Sequence, residues 1–264
     1  MLISLVSRLR PDYYTSLAPF AELFQTGVPI LMYHKLGPRP ARARLKGLYV
    51  SERLFAKQLA ELRAAGFTSG ALPATPAARD NHDRRIVLTF DDGFRNVLEH
   101  GLAPLAQNQF RAIQFLLPNY LGKTNEWDLP AGEAPAPLMD AAQVREWLAA
   151  GHEIGSHTLT HPWLTRIPRA EAREQIIASR KKLEDLFGVT VEHFCYPYGD
   201  WNPAVRDLAA EAGYRTACTT SFGVNTAATL PLALNRIMAR YASRNWRSFR
   251  ARLARVGFPP NHCG

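Results

Sequence analysis

Cysteine is nearly absent from this 264-residue chain. Its three copies, Cys195, Cys218 and Cys263, are too few for a disulfide framework and too scattered for a CxxC zinc site, and they fit a reducing compartment. Long apolar runs are missing too: nothing approaches the roughly 18 residues that a membrane-spanning helix needs. The opening stretch, MLISLVSRLRPDYY, is interrupted by Arg8, Arg10, Pro11 and Asp12 before a signal-peptide core of about 7–15 residues forms. A cytoplasmic location is therefore expected, with peripheral membrane association as an alternative use of the Leu, Phe and Tyr side chains in residues 1–26. Acidic residues are in deficit, 23 Asp and Glu against 32 Lys and Arg, for a formal charge of +9. That excess permits anionic partners, although nucleic acid is not the expected one. Hydrophobic residues make up 47% of the chain, far too much for a disordered polymer and enough for one large core.

Short β-branched runs alternate with stretches of helical periodicity, the pattern of repeated β-α units feeding a mostly parallel sheet or barrel. The expected strands are Val28–Tyr33, Ile86–Phe90, Ala112–Leu117, Glu153–Ser156, Val191–Tyr196, Arg215–Thr219 and a weaker one near Arg236–Ala239. Ser51–Ala65 follows a Ser N-cap and places Leu54, Phe55, Gln58, Leu59 and Leu62 on one face, and Asp140–Ala150 runs from an Asp N-cap to Gly151. Arg169–Phe187, stopped by Gly188, reads as an amphipathic helix covering the sheet. Lys123–Pro137, with three prolines and Gly132, reads as a loop long enough to shape a site. Near the end, Trp246, Phe249 and Leu253 define one helix face amid arginines. No linker or internal repeat separates domains. We expect a helical extension over residues 1–27 and one domain over 28–264 that ends in the Arg-rich helix.

Four clusters carry chemistry. Asp91-Asp92-Gly93 puts two carboxylates at the carboxyl end of a strand, where sites of parallel α/β folds gather, and Gly93 permits the turn both acids need to reach one site. A plain Asp-Gly turn with an N-cap stands beside that reading. His157 and His161, four positions apart, share a face on either a helix or a strand, and with a carboxylate from Asp91 or Asp92 they would complete a three-ligand catalytic metal site. Phe194-Cys195-Tyr196-Pro197-Tyr198-Gly199 runs from strand into turn, leaving backbone N–H groups for an oxyanion, though Pro-x-Gly turns are common. His34, closing the strand that ends at Tyr33, is placed to act as a general acid or simply to hydrogen-bond at a strand end.

Together these pieces resemble the NodB-homology polysaccharide deacetylases, carbohydrate esterase family 4. Thr89 to Gly93 is similar to that family's first signature, His157 to His161 to its second and Phe194 to Gly199 to its third. The resemblance covers about residues 28–240 and implies an α/β fold, a distorted (β/α) barrel with fewer than eight regular strands, and a divalent metal, usually Zn2+. It implies Asp91 as catalytic base, Asp92, His157 and His161 as metal ligands, and a backbone N–H from Tyr198. Two departures stand out: Cys195 occupies a position where many members have Arg, and the late Leu-x-x-His that supplies their acid is missing between Leu230 and Tyr241. The branch that deacetylates poly-N-acetylglucosamine has a circularly permuted barrel with its acid on an early Tyr-His strand, which Ile30 to His34 resembles, and this gives His34 the role. Arg236 is then either a replacement partner for Asp91 or a surface Arg.

The expected function is metal-dependent removal of an N-acyl group, most simply acetyl, from an amino sugar in a polysaccharide, oligosaccharide or lipid-linked glycan. Substrate contacts are assigned to Trp163, Tyr198 and Arg236, with Trp127 and Trp201 nearby. The rival readings are a catalytically silent carbohydrate-binding barrel and a basic protein that binds a membrane surface or an anionic ligand.

Overall fold

A computed structural model describes residues 12–74 and 83–241. The apolar runs become strands β1 (Ile30–Tyr33), β5 (Arg85–Phe90), β6 (Ile113–Leu116), β7 (Glu153–Ser156), β8 (His193–Cys195), β9 (Thr216–Phe222) and β10 (Leu234–Met238). All pair in parallel in the order β1-β10-β9-β8-β7-β6-β5, and β5 returns to β1 through Ile30↔Val87 to Tyr33↔Phe90, so seven strands close a barrel. Three two-residue strands escaped the sequence reading. Of these, β2 (Lys35–Leu36) and β3 (Tyr49–Val50) pair with each other, and β4 (Thr68–Ser69) lies against the start of β5.

Side-chain alternation divides two apolar layers. Leu31, Tyr33, Leu88, Phe90, Phe194 and Tyr196 pack outward with the helices, whereas Ile30, Val87, Phe115, Cys195 and Cys218 form a second, inner cluster. Gly155 leaves room for the lumen filler Phe115, whose ring would lie 2.5 Å from a Cβ at that position.

The helices are α1 (Glu52–Ala64), α2 (Arg95–Gln107), α3 (Ala141–Ala149), α4 (Arg169–Phe187) and α5 (Pro203–Glu211). Ser51 caps α1 by accepting the Leu54 N–H, Asp140 and Gln143 form a reciprocal capping box on α3, and Gly188 ends α4 at φ 65°. Asn202 and Pro203 start α5, a cap-and-proline signal that the sequence reading passed over.

The helical extension needs correcting where it is described. Residues 12–27 form a bridge between Tyr14 and Ala239 and two short 3-10 turns, with Tyr14, Phe20 and Phe24 buried in the core. These rings pack on one another, Tyr14 stacked on Phe24 and Phe20 tilted against both, so they are core and not a membrane-facing stripe. Residues 1–11 and the Arg-rich helix expected near the C-terminus lie outside the described residues. No described helix is long and apolar enough to cross a membrane.

Candidate active site and metal centre

The strand β5 continues its pairing with β1 through Asp91, whose N–H donates to the Tyr33 carbonyl. The chain then turns sharply, with Asp92 at φ 75° and Gly93 at φ 79°. That double left-handed step lets two consecutive carboxylates serve one site. Asp91 meets Arg236 from β10 across the lumen in a two-pronged pair, 2.7 Å at each oxygen. The remaining Arg236 donors go to the Thr219 carbonyl, Thr89 Oγ1 and Cys195 Sγ. Its side chain is fully buried, so the substrate-contact role is corrected: Arg236 lies beneath Asp91 with its donors engaged by the barrel. Burial opposes ionisation of Asp91, but the guanidinium outweighs it and holds the carboxyl below its usual range. Burial pushes the Cys195 thiol up to about 11, so it stays protonated beside this pair.

Asp92 faces both imidazoles. Its Oδ1 is 3.4 Å from His157 Nε2 and 3.3 Å from His161 Nε2, and it is buried with no hydrogen-bond partner. The ligand atoms of these three residues lie within 4.8 Å of one another. His157 Nδ1 is 2.7 Å from the Cys195 carbonyl, which can only accept, so Nδ1 carries a proton and Nε2 is the ring nitrogen turned toward Asp92, the one that would serve an ion. An orphaned carboxylate oxygen beside two imidazole nitrogens is a donor set that fits a divalent cation such as zinc. Atoms of Asp91, His157 and Cys195 that could bind a metal also lie within 4.8 Å of one another. That grouping is the poorer one, because the Arg236 guanidinium holds both Asp91 oxygens and sits 3.1 Å from the sulfur. His34 Nε2 lies 3.8 Å from Asp91 Oδ2, and burial lowers its pKa against the pull of Asp91 and Asp92. All five predicted polar side chains therefore meet at one rim of the barrel.

The two histidines do not share a face of a regular element. The chain leaves β7 at Ser156 and coils, with Thr158 at φ 70° and His161 at φ 65°. Among the described residues five non-glycines have positive φ, and four of them, Asp92, Thr158, His161 and Tyr198, lie in the three motifs, so backbone strain is concentrated at the site. Gln175 of α4, which the sequence reading missed, accepts the Leu159 and Thr160 N–H groups at 3.0 Å each and donates to Thr160 Oγ1. Only its position facing this turn reveals it.

Aromatic rings wall the outer side. Trp127 stacks on His161 at 4.8 Å, and Tyr198 meets the same imidazole edge-on at 4.4 Å. Trp163 lies flat on Tyr198, 4.1 Å away with 6° between the planes, and the Arg166 guanidinium lies 4.1 Å from its ring centre. Two groups at that height cannot share one face, so both faces of Trp163 are covered. Its expected role as a stacking platform for sugar is thereby corrected to that of a brace on Tyr198. Trp201 packs against Tyr196.

Loop 123–137 is held from below by buried polar groups. Asn125 donates to Asp128, whose carboxyl burial and the Asp92 charge push up to about 6. Glu133 pairs with Lys35, and both side chains are fully buried. The other histidines sit elsewhere or fall outside the described residues: His100 pairs with Glu52, His152 packs on Trp147, and His193 bonds Thr216, while His82 and His262 are undescribed.

Fold and site together define a class: a closed parallel (β/α) barrel carrying a carboxylate, two imidazoles and an Arg-held second carboxylate on one rim. Within that class the chain belongs to the polysaccharide deacetylase family, whose profile matches residues 78–217. His34 and Arg236 fall outside that match. A chitooligosaccharide deacetylase of Bradyrhizobium sp. (strain ANU 289) is 28% identical over 132 residues, 49% of this chain and 53% of the relative, so the chain spans about half the length of that protein. In fold, the chain is similar to the Streptococcus pyogenes deacetylase PplD, solved in complex with acetate (TM-score 0.68, 23% identity, 82% of this chain and 93% of that one). It is also similar to IcaB from Ammonifex degensii (TM-score 0.70, 21% identity, 86% and 96%).

Proposed function

We propose that this chain is a metal-dependent N-deacetylase acting on amino-sugar residues of a glycan. The reading rests on one observation, the orphaned Asp92 Oδ1 set between two imidazole nitrogens beside an Arg-held Asp91 and His34. Asp92, His157 and His161 would hold the ion, and zinc suits two nitrogens and one oxygen with positions left open. When bound, such an ion acidifies water and polarises the acyl carbonyl. Asp91, kept ionised by Arg236, takes the proton of the attacking water as the water oxygen bonds to the acyl carbon. His34 gives its Nε2 proton to the amine nitrogen as the C–N bond breaks, and burial makes that imidazolium a readier donor. The turn at Tyr198 offers its backbone N–H to the acyl oxygen. Acetate and a free amine are the products.

Zinc content and amine release from N-acetylated chitooligosaccharides test this on the wild type, on chelator-stripped protein and on His157→Ala. Stripping should abolish activity and zinc should restore it, while His157→Ala should lose bound zinc and at least about 100-fold in turnover. Undiminished activity in metal-free His157→Ala would refute the reading.

A further inference from the structure

The loop over residues 37–47 follows directly from β1 and His34, reading Gly-Pro-Arg-Pro-Ala-Arg-Ala-Arg-Leu-Lys-Gly with no acidic residue. Arg39, Arg42, Arg44 and Lys46 are exposed, and none forms a salt bridge with the described residues. Elsewhere on the surface cations are commonly paired, as in Arg173 with Glu211, Lys181 with Asp185 and Arg215 with Glu192. The loop is nevertheless tied down. Glu133 Oε2 accepts the Arg44 and Leu45 N–H groups at 2.8 and 2.6 Å, and its charge is answered from below by Lys35, so the fixing carboxylate is buried under the patch.

The patch borders the site on two sides. Arg39 is five residues from His34, and Arg44 packs over Gly132, itself five residues from Trp127, each a chain distance of at most about 18 Å. Arg240, just past the neighbouring strand β10, places a fourth guanidinium, itself buried, beside the loop: it lies against Gly47, and Arg39 and Arg240 both approach the Tyr241 ring. Because β1 and β10 are parallel neighbours, both exits open on the rim that holds His34.

We infer that this loop recognises carboxylate or phosphate groups borne by the glycan itself, so that the preferred substrate is an anionic saccharide whose charged units lie beside the N-acetylated one. The inference rests on the deacetylase reading and narrows its substrate class. A rigid array of cations at a pocket mouth speeds encounter and tightens binding of a chain carrying the opposite charge. A membrane surface is the weaker occupant, since none of the large exposed apolar side chains belongs to this loop.

The test compares chitotetraose with its 6-carboxylated counterpart, in which each C6 hydroxymethyl is replaced by a carboxylate, by calorimetric binding and by kcat/KM on the full, zinc-loaded chain. The carboxylated glycan should be favoured about tenfold in about 50 mM salt, and the preference should shrink by about 200 mM. The double variant Arg42→Glu, Arg44→Glu should erase the preference while kcat/KM for chitotetraose stays within about twofold. An equal preference in the variant, or no preference in the wild type, overturns the inference. So does a variant that loses binding only to phosphatidylglycerol vesicles. Selective binding of the carboxylated glycan by a wild type that turns over neither sugar keeps the patch and rejects the deacetylase reading.

Discussion

His157 and His161 face the same carboxylate oxygen from four positions apart, yet different physics holds them. The first belongs to the floor of the site. Its backbone N–H extends the β-ladder to Leu116, and its Nδ1 proton is fixed on a main-chain carbonyl. The second belongs to the outer wall. Its Nδ1 is buried without a hydrogen-bond partner, and its ring is placed by Trp127, Tyr198 and His157. Its backbone stays left-handed within a turn that Gln175 holds from α4. Directional bonds on the floor should fail abruptly when cut, and packing on the wall should loosen by degrees.

The sharpest challenge to that contrast is Arg236→Met. Removing the guanidinium leaves Asp91 buried and uncompensated, so about 3–5 kcal/mol of stability should be lost in urea unfolding. The sign with pH follows from linkage: Asp91 now titrates below its unfolded value, so its contribution is present above about pH 3.8 and fades as pH falls through the folded value. In the variant burial dominates, and the acidic limb of the pH–rate profile should move to higher pH. Arg236→Met as stable as the parent, with an unchanged limb, would break the comparison on the floor side.

Gln175→Ala comes next. It removes the acceptor of two N–H groups behind His161, and zinc affinity, read by chelator competition, should drop by about 10–100-fold with the melting temperature of stripped protein little changed. Gln175→Glu keeps the accepting oxygen and should restore the affinity. Trp127→Leu should have the smallest effect, about 3–10-fold in zinc affinity, the worth of one aromatic contact. A loss as large as that of His157→Ala would mean that the wall is as rigid as the floor.

Much of this was legible along the chain. The seven barrel strands, the caps of α1 and α3, and the Asp-Asp-Gly and His-x-x-x-His clusters each announce themselves within a few residues. Strand ends moved where pairing outran local pattern: β9 runs on to Phe222 because β10 follows it past a register shift. The misread roles share another cause. Arg236 does pair with Asp91, one of the two alternatives its position offers, but its substrate role and the platform role of Trp163 fail, because only contacts over long separations show one sealed in the lumen and the other covered on both faces. Gln175, Glu133 and Lys35 carry no local signal, since each matters through a backbone or charge supplied by a distant segment.

The left-handed residues of the motifs carry a cost to foldedness. At Asp92, Thr158, His161 and Tyr198 a side chain occupies backbone that glycine would accept without strain, at roughly 1–3 kcal/mol each. At Asp92 and His161 glycine would relieve that strain and remove a proposed metal ligand in the same step, so a screen for hardier versions of this protein must score turnover alongside survival.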